Sequence, residues 1–320
     1  MASAFTQLDD GILDGARAAL HAPISHAEAM CRIAPASSGS CATLVLHDPS
    51  SSTVHVANAG DSRAVLVRWR PSGTKTEDGA AADIDGAETA RSNNGGKETG
   101  WVPIPLSEDH TGLDEGERDR IGREHPGEEG LVSPKGRLLG SAVTRSFGDN
   151  RWKWSSDYLK DWEHRFFGRA SSPRVKTPPY ITAAPTVQSQ RVQGGDFIVI
   201  ASDGFWNHIS NEDAAHCLGM WADAQDNKLR GDDGDGGDTA EVAESECMSS
   251  GDAADSWGRY PYNWIVNRAD FVIEDDNAAT HLLRNVFGGG NRDLFCSVLS
   301  TKPPDAKEAR DDVTVVVVHF

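Results

Sequence analysis

Short apolar runs separated by turns predict strands near both ends of the chain. The run FIVIA at residues 197–201 is apolar and mostly branched, which is the pattern of a buried strand. Residues 40–48, 53–63 and 64–69 combine apolar alternation with turns, and they predict a β-meander. Residues 311–320 predict a final core strand.

Helical spacing of apolar residues is clearest in residues 1–20, where it predicts an amphipathic helix. Residues 114–125 predict a charged helix, and residues 211–222 and 278–287 predict two more. The strands cluster early and late, without the regular strand–helix alternation of a doubly wound sheet. The order of elements therefore predicts an α+β fold in which helices cover antiparallel sheets.

Two polar stretches of low complexity interrupt this pattern. Residues near 71–100 are rich in Gly, Ala, Asp and Thr, and residues 223–256 are rich in Asp, Gly, Ala, Glu and Ser. This composition favours flexible insertions over core elements. With 38% hydrophobic residues, the 320-residue chain is long enough for one large domain or two modest ones. We expect a single domain over residues 1–320 that carries both insertions.

Composition excludes several classes of protein. The formal net charge of -18 argues against a broad basic face for nucleic acid. Five scattered cysteines without a CxxC pair favour a reducing compartment over a disulfide framework. No apolar run is long enough to span a membrane, and the first residues have neither a signal-peptide core nor an Arg-rich transit pattern.

Two acidic positions stand at the ends of predicted core strands. Asp203 follows the predicted 197–202 strand, and Asp311 and Asp312 precede the final one. Carboxylates that converge at one rim of a sheet repel each other unless a cation lies between them, and Mg²⁺ and Mn²⁺ prefer oxygen ligands. Asp is also a common turn residue, and position alone favours that structural interpretation.

The order of motifs adds a family resemblance. The sequence contains SGSCATLVL (38–46), VANAGDSRAVLV (56–67), LSEDH (106–110), GRLLGSAVTRSFGD (136–149), PYITAAPTV (179–187), FIVIASDGFWNHISNEDA (197–214) and RDDVTVVVV (310–318). Together these motifs closely resemble the metal-dependent protein serine/threonine phosphatases of the PPM, or type 2C, family. Residues 110–128, 151–155 and 177–185 look most like the mitochondrial pyruvate dehydrogenase phosphatase branch.

The resemblance implies a β-sandwich of two antiparallel sheets flanked by helices, in an α/β/β/α layering, with two Mg²⁺ or Mn²⁺ ions at one end. It implies that Asp203 and Asp311 hold the second metal. Asp312 stands where the family has Asn, which adds a charge. Asp109 matches an acid of a third, weaker metal site, whose other acid is replaced here by the neutral Asn207.

Other charged residues in these motifs are expected to be architectural. Asp61 and Arg63 lie in the GDSR motif, and Arg145 and Asp149 in TRSFGD. Ion pairs and turn caps are common roles for such residues, and we expect a structural role for all four.

One family motif, DGHGG, occurs nowhere in this sequence. In the family, the N-terminal segment that carries it supplies the bridging Asp, the His thought to protonate the leaving oxygen and the Arg that binds phosphate. We therefore expect a domain that lacks its first strands, has no catalytic residue of its own and is inactive alone.

The function that the resemblance implies is hydrolysis of phosphoserine and phosphothreonine by a metal-activated water. The expected substrate is a phosphoprotein, and the resemblance to this branch implies the pyruvate dehydrogenase complex in the mitochondrial matrix. The alternative location is the cytoplasm. The rival hypothesis is a non-catalytic pseudophosphatase that binds partner proteins. A calcium-binding loop over residues 233–244 is a weaker hypothesis than either of these, because Asp238 stands where an EF-hand needs Gly. The segment GGGNR (288–292) lacks the Gly-Lys-Ser/Thr of a P-loop.

Overall fold

The computed structural model describes residues 1–71, 100–169, 172–230, 264–306 and 310–320. These residues form an α+β fold of helices and antiparallel sheets, as the sequence predicts. The chain divides into two compact units. The first contains Met1–Val65, Pro105–Gln193 and Ile200–Asp203, and the second contains Leu66–Ile104, Gly194–Val199 and Gly204–Phe320.

The elements follow one another along the chain without a repeating unit. The described strands are β1 (Gly39–Ser40), β2 (Ala42–Asp48), β3 (Thr53–Ala59), β4 (Arg63–Arg70), β5 (Gly100–Pro105), β6 (Phe147–Gly148), β7 (Thr186–Arg191), β8 (Phe197–Ala201) and β9 (Val315–His319). The described α-helices are α1 (Ala2–His21), α2 (His26–Ser37), α3 (Glu115–Glu124), α4 (Asn150–Lys153), α5 (Ser156–Phe166), α6 (Asp203–Trp206), α7 (Asn211–Arg230), α8 (Ala278–Val286) and α9 (Arg292–Ser300). A 3₁₀ turn spans Arg268–Asp270.

The first unit contains a three-stranded antiparallel sheet with the order β2-β3-β7. Its register pairs Leu44 with Ala57 and Ala57 with Val187, so β3 is the middle strand. A second, two-stranded ladder joins β1 to β6 through the pairs Gly39–Gly148 and Ser40–Phe147.

Helices α1, α2 and α5 share one hydrophobic cluster of the first unit. Leu20 of α1, Ile33 of α2 and Leu159 of α5 are almost completely buried there, with Trp154 between α4 and α5. The start of α2 is set by Ser25, whose hydroxyl accepts a hydrogen bond from the backbone N–H of Glu28. Burial of one apolar face thus stabilises helices whose sequences are otherwise mixed.

The second unit contains most of a four-stranded sheet with the order β5-β4-β8-β9. On β8, Phe197 stacks on His319 of β9 with ring centroids 4.3 Å apart, and its ring lies 5.6 Å from Trp101 of β5. Helix α7 packs beside α8, where the side chain of His281 donates to the carbonyl of Cys217 at 2.9 Å. The two aromatic contacts cover Phe197, the first residue of the buried strand β8.

The structure differs from the sequence-based expectations at the β-meander and at the start of the second insertion. The β-meander over residues 40–69 is wrong in its last strand, because β4 belongs to the four-stranded sheet rather than continuing from β3. Gly60, with φ of +125°, permits the turn between these strands. Residues 223–230 continue α7 instead of opening an insertion, since they are mostly good helix formers. The remainder of both expected insertions, residues 72–99 and 231–256, lies outside the described residues.

The apolar content of the helices bears on membrane association. Among the helices that the structure describes, none combines the length and hydrophobicity needed to cross a bilayer. The apolar face of α1 is occupied by the cluster with α2 and α5.

Candidate functional site

Asp203 lies at the first position of α6, separated from the buried strand β8 by Ser202 alone. Its side chain is half-buried, whereas the next three residues, Gly204, Phe205 and Trp206, are buried. The rings of Phe205 and Trp206 meet edge to face at 4.9 Å. The two aromatic residues after Asp203 are therefore packed against each other in the interior.

Gly204 brings the backbone into close contact with the segment before β9. A Cβ atom at this position would collide with the carbonyl oxygen of Asp312 and would lie 3.2 Å from a methyl group of Val313. Only glycine allows this approach. The residue after Asp203 is thus packed against the residue after Asp311.

Asp311 is exposed in the irregular segment that precedes β9. Its Oδ1 accepts a hydrogen bond of 2.8 Å from the backbone N–H of Asp312, which is itself exposed. Asn207, at the position where the resemblance implies another acid, is exposed at the end of α6.

Asp109, the third sequence-predicted ligand, lies in the first unit and forms a bidentate ion pair with Arg63. The guanidinium Nε donates to Oδ1 at 2.9 Å and Nη2 donates to Oδ2 at 2.6 Å. Both side chains are partly buried. Arg63 therefore takes part in an ion pair, one of the two roles that the sequence predicts for it.

Asp61 accepts a hydrogen bond from a partly buried thiol. The Sγ of Cys41 lies 3.3 Å from Asp61 Oδ1. Burial, followed by the negative charges of Asp61 and, more weakly, Asp203, raises the pKa of Cys41 to about 12. The thiol stays neutral at physiological pH and acts as a donor rather than as a nucleophile.

His110 joins the two segments that carry Asp61 and Asp109. Its Nδ1 accepts from the backbone N–H of Gly60 at 3.2 Å, and its Nε2 lies 3.2 Å from the hydroxyl of Thr186. Burial, together with the nearby charge of Arg145, lowers the pKa of His110 to about 4. The imidazole is neutral, and it positions a turn rather than carrying a charge.

Arg145 and Asp149, the two charged residues of TRSFGD, have structural partners. Arg145 donates to Glu117 Oε1 at 2.6 Å and to the carbonyl of Ala184 at 2.8 Å. Asp149 accepts a hydrogen bond from the hydroxyl of Ser146, and burial raises its pKa.

Sequence reasoning missed the carboxylate that Arg145 binds. Glu117 is 3% exposed and also accepts from Arg120 at 2.9 Å and from the Thr144 hydroxyl at 2.5 Å. Burial by itself would raise the pKa of Glu117, but the hydrogen bonds from Arg145, Arg120 and Thr144 outweigh it and lower the pKa to about 2. The sequence feature that could have pointed to Glu117 is its position three residues after Asp114, the residue that caps the start of α3.

A second buried ion pair joins α1 to α4. Lys153 Nζ lies 2.7 Å from Asp9 Oδ2 and also donates to the carbonyl of Ser146 at 2.6 Å. The other oxygen of Asp9 accepts from the backbone N–H of Gly148 at 2.7 Å. This arrangement is structural; Lys153 lies in the 151–155 stretch that the resemblance includes, and Asp9 lies in none of the motifs.

The three sequence-predicted metal ligands all offer carboxylate oxygens to a cation. Within the described ranges, no group of three or more His, Cys, Asp or Glu residues converges closely enough to hold a metal ion. The carboxylates of Asp203, Asp311 and Asp109 have the oxygen donors that Mg²⁺ and Mn²⁺ prefer. The residues thus fit such a cation in donor type.

Comparison with known sequences identifies the family. Residues 2–247 match the protein phosphatase 2C family. Protein phosphatase 2C homolog C10F6.17c of Schizosaccharomyces pombe is 36% identical over 289 residues, which cover 89% of this chain and 54% of that protein. The mitochondrial [pyruvate dehydrogenase [acetyl-transferring]]-phosphatase 1 of Saccharomyces cerevisiae is 33% identical over 303 residues, covering 89% of this chain and 47% of that protein. The human protein of the same name is 31% identical over 288 residues, which cover 83% of this chain and 45% of that protein.

Solved structures add a weaker comparison. A serine-threonine phosphatase 2C from Toxoplasma gondii matches with a TM-score of 0.34 and 13% identity, covering 71% of this chain and 73% of that one. The chain spans about half the length of the curated relatives named above. The family assignment therefore rests on the sequence matches, which extend over most of the chain. On that evidence this chain belongs to the protein phosphatase 2C family of protein phosphatases, which are hydrolases.

Proposed function

We propose that this chain forms part of a metal-dependent protein serine/threonine phosphatase in which Asp203 and Asp311 hold a Mg²⁺ or Mn²⁺ ion. One observation carries the proposal. The backbone of Gly204 lies against the carbonyl of Asp312, so the residues that follow the two acids in sequence are packed together. Membership of the protein phosphatase 2C family supports the same conclusion.

The chemistry of the proposed site follows from its donors. A bound divalent cation supplies Lewis-acid activation of the attacking water and of the phosphoryl group. The chain's own residues would hold and orient the ligands. Asp203 follows the buried strand β8 in sequence, and the N–H of Asp312 donates to the carboxylate of Asp311 and orients it. The exposed charge of Asp312 adds to the attraction for a cation. We also keep Asp109 as a proposed ligand of a weaker third site.

The substrate and location are proposals drawn from relatives. The family acts on phosphoproteins, and the relatives from yeast and human are named mitochondrial pyruvate dehydrogenase phosphatases. We propose a phosphoprotein substrate of the pyruvate dehydrogenase complex in the mitochondrial matrix. The name of the S. pombe relative mentions no substrate, so the proposed substrate needs a test of its own.

Metal binding tests the site directly. Isothermal titration of residues 1–320 with Mn²⁺ should detect binding that Asp203→Asn and Asp311→Asn each weaken by about tenfold or more, because each removes a charged oxygen ligand. Asp293→Asn, an exposed acid in the first turn of α9, is the matched control and should bind as the parent protein does. Equal affinity in all four proteins would overturn the proposed site.

Turnover is a separate measurement. Release of phosphate from a phosphoserine peptide in the presence of Mn²⁺ measures it, and we expect a rate far below that of an intact pyruvate dehydrogenase phosphatase, because the sequence has no DGHGG motif. A comparable rate would refute the expectation of inactivity. Phosphopeptide binding that survives Asp203→Asn and needs no metal would favour the pseudophosphatase alternative.

A further inference from the structure

The three-stranded sheet of the first unit has an open edge at β2. This strand pairs with β3 on one side and, among the strands that the structure describes, with none on the other. Its register with β3 runs from Ala42 to Asp48 without a bulge. The backbone of an edge strand presents N–H and C=O groups on which a further strand can pair. Strand β2 therefore offers an uninterrupted edge of seven residues.

The sequence of β2 has none of the features that usually block an edge. Proline, lysine and bulges keep edge strands from pairing with other chains. The strand reads ATLVLHD, without Pro or Lys, and its one acidic residue, Asp48, is the last. By contrast, β5 includes Pro103 and Pro105, and β7, the opposite edge of the β2 sheet, has the polar sequence TVQSQR. The remaining described edge, β9, is also apolar, and the experiment below distinguishes it from β2.

Two leucines make the β2 edge apolar as well as open. Leu44 and Leu46 point to the same face, because side chains alternate along a strand, and they are 39% and 47% exposed. Across the sheet, Leu44 pairs with Ala57, and Ala57 pairs with Val187, which is 46% exposed. Helix α1 contributes Phe5 to a cluster with Ala57, but neither leucine belongs to that cluster. Covering the leucines would remove apolar surface from water, which favours association.

The residues of β2 are complementary to those of a second copy of the same strand. In an antiparallel pair with a two-fold axis at Val45, Leu44 of each copy lies opposite Leu46 of the other. Val45 faces its own equivalent, so the centre of the pair is apolar. We propose that this chain forms a two-fold dimer in which the β2 edges pair in this register and the two three-stranded sheets join into one. The inference is independent of the proposed metal site.

Charge and hydrogen bonding support the same register. The formal net charge of -18 on each copy opposes association, so an interface must keep acidic residues apart. The axis at Val45 places the two Asp48 residues at opposite ends of the pair, roughly 20 Å apart at about 3.4 Å per residue, which exceeds the Debye length of about 8 Å at physiological salt. The strand pair forms about six to eight backbone hydrogen bonds, within the range of about 5–15 for protein interfaces. Strand β9 fits such an interface less well, because Val316 is its one exposed apolar side chain.

Sedimentation equilibrium of residues 1–320 tests the dimer. At physiological salt, the average mass should rise with protein concentration from 34.4 kDa towards twice that value. Leu46→Lys should weaken the dimer about tenfold or more, because it places an ammonium group opposite Leu44 of the second copy on both sides of the axis. Val187→Lys is the matched control, since Val187 has nearly the same exposure but lies on the other edge of the sheet. Val316→Lys, at a residue that is 47% exposed, tests the β9 edge. Both controls should associate as the parent protein does.

Mixtures of variants test the register. Leu44→Lys and Leu46→Glu should each dimerise weakly alone. Their equimolar mixture should dimerise about tenfold more tightly than either, because it forms one Lys–Glu pair and keeps one Leu–Leu pair. A mixture of Leu44→Lys with Leu44→Glu carries the same opposite charges, but the register does not place them opposite each other, so it should recover much less. Recovery in the first mixture also shows that both of its variants are folded.

Three results would overturn the inference. The first is a protein that stays monomeric at every concentration. The second is a loss of association in Val187→Lys or Val316→Lys as large as that in Leu46→Lys. The third is equal recovery in the two mixtures. None of these results bears on the proposed metal site, which the Mn²⁺ titration of Asp203→Asn tests separately.

Discussion

The Glu117 network gives the most quantitative prediction. Replacing Glu117 by Gln keeps the size of the side chain and removes the charge that Arg145 and Arg120 share at 2.6 and 2.9 Å. The two guanidinium groups have side-chain exposures of only 14% and 13%, so they would remain largely buried without this counter-charge. Removing one partner of a buried network destabilises more than the pair itself contributes. We therefore expect Glu117→Gln to destabilise the fold at neutral pH.

The magnitude follows from the pKa. The pKa of Glu117 falls from an ordinary 4.5 to about 2 in the folded protein. At about 1.4 kcal/mol per pKa unit, this shift corresponds to roughly 3 kcal/mol, which we reduce to about 2 kcal/mol because solvent screens part of the interaction. The loss should exceed that of an exposed ion pair, which contributes about 1 kcal/mol or less.

The sign of the pH dependence is fixed by the direction of the shift. A carboxylate whose folded-state pKa is lowered stabilises the protein above its unfolded-state pKa and loses that contribution as pH falls through the folded-state value. The contribution of Glu117 is therefore complete above about pH 5 and disappears between about pH 5 and pH 2. The stability difference between the parent protein and Glu117→Gln should close over the same interval.

Urea unfolding at several pH values measures this difference. The control is Glu115→Gln, an exposed acid two residues earlier in α3, which should change stability by less than about 0.5 kcal/mol at every pH. A difference between the parent and Glu117→Gln that stays constant from pH 7 to pH 3 would refute the assignment of a charged, network-bound Glu117.

Three further predictions concern the first unit. Lys153→Met should cost about 3–5 kcal/mol in urea unfolding, because it leaves Asp9 buried without a counter-ion, and Asp9→Asn in the same protein should restore much of the loss. Gly148→Ala should lower the melting temperature more than Gly140→Ala. Both positions have positive φ, but only at Gly148 would the new Cβ collide with a backbone carbonyl, that of Ser38. Mass spectrometry after iodoacetamide treatment at pH 8 should show Cys41 unmodified in the folded protein, since its pKa is about 12, while the exposed thiols of the described chain react.

The fold class was predictable because it depends on local patterns. The apolar run of β8 and the stripe of α1 both appear in the structure at the expected positions. The sheet to which β4 belongs was not predictable from its own residues, since strand pairing depends on partners far away in sequence. The length of α7 was underestimated because its last turns are polar, and composition alone does not separate a solvent-exposed helix from a loop.

The site was predictable only in part, for a similar reason. Asp203, Asp311 and Asp109 were named from motifs, and their roles as metal ligands stay predictions. The partner of Asp109 could not be inferred, because Arg63 lies 46 residues away in sequence. Glu117 was overlooked because a helix rich in charges is usually a solvated one, whereas this residue points into a buried cluster of arginines.

The contact between Asp9 and Lys153 has a practical consequence for protein engineering. The two residues lie 144 positions apart, yet the ammonium depends on a carboxylate in the first half of α1. A shortened version that starts after this carboxylate would remove the counter-charge that is hydrogen-bonded to the ammonium, and with it the acceptor of the Gly148 N–H. The buried ammonium would keep its hydrogen bond to the carbonyl of Ser146. Where such a version begins would thus determine whether the β1–β6 ladder, far along the chain, keeps its shape.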